Sequence, residues 1–360
     1  MRIIPILFLG IISIYFYLVL LRFNTWTGFN LNKILLLFIL FLIVVPALNF
    51  FGVWFLTLLH LFEIGILVEI LNIILKRMDL KYWNNIYLSF AFPVIAVIII
   101  FCYGYYNINN IKRTEYNILT EKNIRKEGYK IGLISDIHFG NSLNNEKMEK
   151  QVEKLNSENF DILILAGDIV DESTNLQEVK DIFKILGKIK AEKGIYYVYG
   201  NHDMSNYSRK PNYSLKDLKD SINDGNIKIL EDESIKITED LTIIGRKDKT
   251  ERNRKNSREL IEQADKNIYL ILTDHQPVEL IENSRLGYDL QLSGHTHNGQ
   301  IFPFNLIMKF FNLSEFIYGN KKIGKFNIIV SSGFSGWGYP IRTAGNSEYV
   351  VINLKKENTK

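Results

Sequence analysis

Asp161-Ile162-Leu163-Ile164-Leu165-Ala166-Gly167-Asp168-Ile169-Val170-Asp171 is the stretch on which the fold turns. A short apolar run of strand type ends abruptly in a glycine and two carboxylates. Gly167 allows a tight turn just past the strand. The same arrangement recurs on either side of it. Tyr129–Ser135 runs into Asp136-Ile137-His138, and Gly194–Tyr199 into Gly200-Asn201-His202-Asp203. Asn267–Thr273 leads to Asp274-His275, and Asp289–Leu292 to Gly294-His295-Thr296-His297. Leu241–Ile244, Phe326–Ser331 and Tyr349–Leu354 also read as strands. Glu146–Ser157, Asn175–Ala191, Ser214–Asn223 and Asn256–Lys266 have helical spacing and charge. Strands alternating with helices predict an α/β fold built on a sheet.

In such folds sites form outside the carboxyl ends of strands. Five strand ends on one edge would gather the clusters between residues 136 and 297. Five of the chain's six histidines lie in these clusters. Imidazole with carboxylate is a ligand set for Zn, Mn or Fe, so the clusters point to a metal-dependent enzyme. The one cysteine, Cys102, lies in an apolar run, which excludes an intrachain disulfide and thiolate zinc sites.

The five blocks resemble, in order and without substitution, the D-x-H, G-D-x-x-D, G-N-H-[DE], H and G-H-x-H pattern of calcineurin-like metallophosphoesterases. The segment Gly333-Phe334-Ser335-Gly336-Trp337-Gly338-Tyr339-Pro340-Ile341-Arg342 is similar to the branch found with N-terminal membrane spans or export signals. The resemblance implies two mixed β-sheets in a sandwich flanked by helices. It implies two divalent metal ions (Mn, Fe or Zn), one held by Asp136, His138 and His297. Asp168 would bridge to the second, completed by Asn201, His275 and His295. A water between cations about 3.5–4 Å apart becomes a hydroxide nucleophile near neutral pH. His202 would then protonate the leaving oxygen, a role that suits imidazole. Asp171 is expected to orient His202, or else to cap its loop. Asp203 is expected to pair with backbone at the turn.

Charge divides the chain. Residues 1–106 hold six basic and three acidic side chains, and the remainder 37 basic and 36 acidic. A membrane-spanning region over 1–106 and a catalytic domain over 107–360 follow. Spanning a bilayer takes about 20 apolar residues. Ile3–Leu21, Ile34–Phe51, Gly52–Leu75 and Ile86–Tyr106 give four expected helices in a multi-pass membrane protein, or three where part of the middle stretch lies in the interface. The first reads as a retained anchor, because only Met1-Arg2 precedes it and no A-x-A-like site follows. Lys76, Arg77 and Lys81 form the most basic loop, with Arg22 and Lys33 on the same side under a four-helix count. That places the catalytic domain outside the cytoplasm. Arg2, Lys112 and Arg113 weigh the other way. Within the third span His60 and Glu63, three apart, can satisfy each other or serve a function, as can Glu69.

Three stretches bear on substrate. Ile301–Tyr318, rich in aromatic and aliphatic residues, can enter headgroups, hold an acyl chain or pack on the strands. Arg246–Arg258 carries seven Lys or Arg residues and can hold an anion or be a solvated loop. Arg342 can clamp an oxyanion or make a structural salt bridge. The expected function is a membrane-tethered hydrolase of phosphodiester or pyrophosphate bonds on a lipid-linked or envelope substrate. Its partners are a phosphorylated small molecule or lipid and the membrane lipids themselves. A nuclease or phosphomonoesterase could use the same metal core, but the near-neutral second half argues against nucleic acid. A non-catalytic sensor or scaffold would be expected to have lost a ligand or His202, and this chain has lost none.

Overall fold

The computed structural model describes residues 3–78, 80–262 and 264–357, with side chains from Ile6 onward. Arg2, which bears on orientation, lies outside the described residues. The chain divides into two compact units, Met1–Gly104 and Tyr105–Lys360, two residues before the boundary expected from charge.

The first unit is helical: α1 (Ile3–Thr27), α2 (Lys33–Val44), α3 (Val53–Leu75), α4 (Trp83–Ser89) and most of α5 (Ala91–Asn109). Among the described residues, three segments are long and apolar enough to cross a membrane: Ile6–Thr27, Val53–Met78 and Ala91–Asn109. Helix α2 spans only 12 residues, short of the expected second crossing. Pro46 stops it, since a residue without an N–H cannot continue the α-helical ladder, and the chain tightens into a 3₁₀ turn over Val45–Leu48. The last expected span starts later than its apolar run, because Phe90 is left-handed (φ 58°) and breaks α4 from α5. His60 is not satisfied by Glu63: its Nδ1 lies 3.0 Å from the Leu56 carbonyl one turn back. Glu69 accepts from Arg22 at 2.7 Å and from the Tyr87 hydroxyl at 2.6 Å.

The second unit holds strands β1 (Lys112–Thr120), β2 (Tyr129–Ile134), β3 (Ile162–Ala166), β4 (Ile195–Val198), β5 (Ile227–Ile229), β6 (Glu233–Thr238), β7 (Leu241–Gly245), β8 (Tyr269–Thr273), β9 (Leu290–Ser293), β10 (Gly319–Ile323), β11 (Phe326–Val330) and β12 (Glu348–Lys356). Its helices are α6 (Asn145–Asn156), α7 (Leu176–Leu186), α8 (Leu215–Asp224), α9 (Ser257–Ile261), α10 (Leu280–Leu286) and α11 (Phe304–Phe310). The strands form two mixed sheets, ordered β1-β12-β2-β3-β4-β5 and β10-β11-β9-β8-β7-β6. Parallel pairing runs from β2 through β5 in the first and from β7 through β9 to β11 in the second.

Strand alternation explains the layering, because successive side chains point to opposite faces. In β3, Ile162, Ile164 and Ala166 pack with Ile243, Ile271, Leu290 and Leu292 of the other sheet. Leu163 and Leu165 point outward onto Met148 and Val152 of α6 and Val179, Ile182 and Phe183 of α7. On the far face of the second sheet, Leu270, Leu272 and Ile328 pack with Leu260 of α9 and Leu280 of α10. The expected sandwich is thus present, with helices on both outer faces. The helix expected over Asn256–Lys266 is shorter, ending at Ile261.

Candidate metal centre

Side chains from the ends of β2, β3, β4, β8 and β9 converge in two groups. Asp136, His138 and His297 form one and Asp168, His275 and His295 the other, each with ligand atoms within 4.8 Å of one another. Nε2 of His138 lies 3.2 Å from Nε2 of His297, which is 3.4 Å from Asp136 Oδ1. In the second group Asp168 Oδ2 lies 3.1 Å from His275 Nε2, and His295 Nδ1 lies 2.8 Å from Asn201 Oδ1. Asp168 also reaches toward the first group, with Oδ2 3.8 Å from His138 Nε2. All seven residues implied by the motif pattern are therefore together. His202 stands beside them, its backbone N–H donating to Asp168 Oδ1 at 2.8 Å.

The backbone is strained to bring this about. Asp136, His138, Asp168, His295 and His297 all have left-handed φ, between 45° and 71°. Each such non-glycine residue costs on the order of 1 kcal/mol and persists only where its surroundings over-determine it. Gly200 and Gly294 make room: a Cβ on the first would lie 2.2 Å from Asp168 Oδ1, and on the second 2.3 Å from Asp136 Oδ2.

The donor chemistry fits cations. His275 Nδ1 donates to the Ala166 carbonyl at 2.7 Å, so its Nε2 is free to present a lone pair. That Nε2 is buried with no hydrogen-bond partner among the described residues, and it faces a carboxylate. His138 Nδ1 donates to Asp171 Oδ2 at 3.2 Å, leaving its Nε2 to meet His297. Lone pairs that converge in this way need a positive charge between them. Burial, then the neighbouring His275, holds His295 down at about 4, and burial holds His297 well below its usual value; metal ligation requires such neutral rings. Burial opposes charge on His275, yet Asp168 and Asp136 raise it well above the usual range: the centre draws positive charge.

Two expected roles need correction. Asp171 does not orient His202; it faces His138, and its second oxygen accepts from the Ser173 N–H at 2.8 Å. The residue facing His202 is Glu172, whose Oε2 lies 2.8 Å from Nδ1. Burial disfavours the charged ring of His202, but Glu172 and then Asp168 outweigh it and raise the pKa. The turn places consecutive carboxylates on different imidazoles, and the only sequence signal for Glu172 was its place next to Asp171. Arg342, for its part, is neither an oxyanion clamp nor a salt bridge. It is fully buried and donates to the carbonyls of His297 (2.7 Å), Ser332 (2.9 Å) and Ser335. Burial lowers its pKa to about 10.

Asp203 takes backbone N–H groups from Asp168 (2.7 Å), Ile169 (2.8 Å), Val170 (3.1 Å) and Gly200 (2.6 Å), fixing two of the ligand loops at once. The basic stretch is partly internal: Arg246 pairs with Glu279 at 2.7 Å, and Arg254 with buried Asp274 at 2.5 Å. Rings of Tyr207 and Trp337 lie 5.0 and 5.1 Å from that of His202.

Residues 129–299 match the calcineurin-like phosphoesterase family model. An uncharacterized metallophosphoesterase of Campylobacter jejuni is 29% identical over 294 residues, covering 80% of this chain and 75% of its own. One from Helicobacter pylori is 30% identical over 235 residues, 64% of this chain and 60% of its own. A transmembrane protein with metallophosphoesterase domain from Danio rerio is 26% identical over 282 residues, 74% of this chain and 64% of its own. The matched segment holds every residue of both groups, and over it the chain is similar to the calcineurin-like metallophosphoesterases, which supports a metal-dependent phosphoesterase.

Proposed function

We propose that the protein is a membrane-tethered hydrolase of phosphodiester or pyrophosphate bonds that uses two divalent cations. Asp136, His138 and His297 would hold one, and Asn201, His275 and His295 the other, with Asp168 shared. The observation that carries this is Asp168 Oδ2, within 3.1 Å of His275 in one group and 3.8 Å of His138 in the other. When bound, the cations neutralise the phosphoryl oxygens and make water nucleophilic near neutral pH.

The chain's own part is positioning and proton transfer. His202 gives a proton from Nε2 to the leaving oxygen, while Glu172 accepts from Nδ1 and keeps the ring charged. Asp171 fixes the tautomer of His138, and Asp203 holds the loops that carry Asp168 and Asn201. A lipid-linked or envelope phosphate is the proposed substrate, supported by three candidate spans in the same chain.

The catalytic unit is proposed to lie outside the cytoplasm, opposite the loop with Lys76, Arg77 and Lys81. With three crossings Arg22 and Lys33 move to the catalytic side, so orientation rests chiefly on that loop. Labelling of intact cells with a membrane-impermeant amine reagent, read at Lys249 and Lys150, decides it; labelling only after lysis reverses the orientation. The full chain in detergent should hydrolyse bis-p-nitrophenyl phosphate with Mn²⁺ and stop on chelation. Turnover with none of Mn²⁺, Zn²⁺ or Fe²⁺ overturns the reading.

A further inference from the structure

Directly after the ligand turn at His297 comes a surface that the catalytic reading leaves unused. From Phe302 to Leu313 the chain exposes large apolar side chains: Phe304 is 47% exposed, Phe310 81%, Phe311 64% and Leu313 56%. Helix α11 is fastened from the other side by buried Met308, so the exposed side chains are left outside the core. Contiguous apolar surface of this kind marks an interaction site. The sequence from 301 to 314 contains no acidic residue, and its one charged residue, Lys309, is exposed. Bulky apolar groups around a cation suit an anionic bilayer surface.

Hydrogen bonds within the second unit connect this surface to the end of a membrane span. The Phe302 N–H donates to Thr343 Oγ1 at 2.9 Å, and the Ala344 N–H to the Gln300 carbonyl at 2.8 Å. Asn107 donates to the carbonyls of Arg342, at 3.1 Å, and Gly345. Asn107 lies in the last turn of Ala91–Asn109, one of the candidate spans. The loop that carries the start of the aromatic segment is therefore bonded to the last turn of that candidate span.

We infer that residues 302–313 seat in the headgroup layer of the membrane that the chain itself spans, as an interfacial wedge beside the metal centre. Helix α11 is pressed onto the ligand turn: a Cβ on Gly299 would fall 2.5 Å from the Asn305 backbone. A wedge in the headgroups thus holds the centre at the depth of a lipid phosphate. The seating stands independently of the hydrolase reading. Its consequence, preference for a phosphate carried on a lipid, rests on that reading.

The test uses the full chain with Cys102→Ser, reconstituted in nanodiscs of zwitterionic and anionic phospholipid. An environment-sensitive fluorophore is attached at Phe310→Cys or, as a control on exposed α8, at Leu215→Cys. Doxyl groups on the lipid chains should quench the label at 310 several-fold more than the label at 215. Equal quenching overturns the inference. So does self-quenching between labelled copies without lipid quenching, which would make the surface a contact between two copies. In a second arm, the triple variant Phe304→Ser, Phe310→Ser, Phe311→Ser should keep its rate on bis-p-nitrophenyl phosphate. It should lose about 10-fold on a phospholipid analogue presented in vesicles. Equal rates on both, relative to wild type, remove the lipid preference. Absence of any turnover alongside strong quenching at 310 would remove the hydrolase reading and leave the seating intact.

Discussion

The two sheets meet at the centre with different goods. The first, through the ends of β2, β3 and β4, presents every candidate oxygen ligand (Asp136, Asp168 and Asn201) along with His138 and the proposed acid His202. The second, through β8 and β9, presents imidazoles alone: His275, His295 and His297. Neither ligand group closes on one sheet. Their loops are held in opposite ways too. The Asp203 carboxylate gathers N–H groups behind the first sheet's turns, and the Arg342 guanidinium gathers carbonyls behind the second's. A cation in either group would join the sheets at an edge where they share no ladder. The centre is then a structural staple as well as a reaction site.

The largest test removes the shared oxygen. Asp168→Asn should lower bis-p-nitrophenyl phosphate hydrolysis by about 1,000-fold or more, roughly 4 kcal/mol of transition-state stabilisation. His275→Asn, on the other sheet, should cost a similar factor. If it leaves the rate within about 10-fold, one sheet carries the chemistry and the contrast between them dissolves.

Next comes removal of the metal itself. A ligand at 1,000 times its Kd stabilises the folded state by about 4 kcal/mol. Chelation should therefore lower the melting midpoint of the full chain and speed hydrogen exchange in residues 136–140 and 294–300 together. Faster exchange in only one of these loops would mean that the cations do not bridge the sheets.

Smaller effects separate the two adjacent carboxylates. Glu172→Gln should slow hydrolysis of diesters with poor alkoxide leaving groups by about 10- to 100-fold, with KM little changed. Activated p-nitrophenyl esters, which leave without a proton, should be nearly unaffected. Asp171→Asn should instead weaken metal affinity by about 10- to 100-fold, visible as a higher metal concentration for half-maximal rate. If the two phenotypes are exchanged, Asp171 serves His202 after all.

The same contrast shows what the sequence could reveal. All eight inner strands were legible from their apolar residues, and so were the clusters that follow five of them. The four strands that escaped notice, β1, β5, β6 and β10, are the four sheet edges. Edges are protected by charge in place of apolar runs: β10 exposes Lys321 and Lys322, and β1 exposes Lys112 and Arg113. Six of the seven candidate ligands stood out because each follows a strand end within two residues of a glycine or another candidate, and His275 because it follows Asp274 at the end of β8. Which carboxylate faces which ring was not readable, since it depends on the turn after Asp168. Nor could Arg342 be placed, because a guanidinium that serves backbone carbonyls leaves no pattern in the side chains around it.

The smallest effect lies on the first sheet at a carboxylate that touches no member of the centre. Glu158, just before β3, accepts from Arg113 at 2.7 Å, Lys130 at 2.8 Å and the Tyr349 hydroxyl at 2.9 Å, tying β1, β2 and β12 together. Burial alone would raise its carboxyl, but these three donors hold it at about 2. A carboxyl whose folded value is depressed stabilises the protein above its unfolded value, near 4.5, and loses that contribution as pH falls toward 2. Arg113 is partly exposed, so solvent screens the pair and the effect stays modest. Glu158→Gln should cost about 1–2 kcal/mol at pH 7, with the gap to wild type closing between pH 4.5 and 2. Hydrolysis at pH 7 should stay within about twofold of wild type, because Glu158 bonds to no residue of the centre. A stability gap that persists unchanged at pH 2.5 would mean that Glu158 acts through packing, and a large loss of turnover would mean that its ion-pair cluster is coupled to the centre.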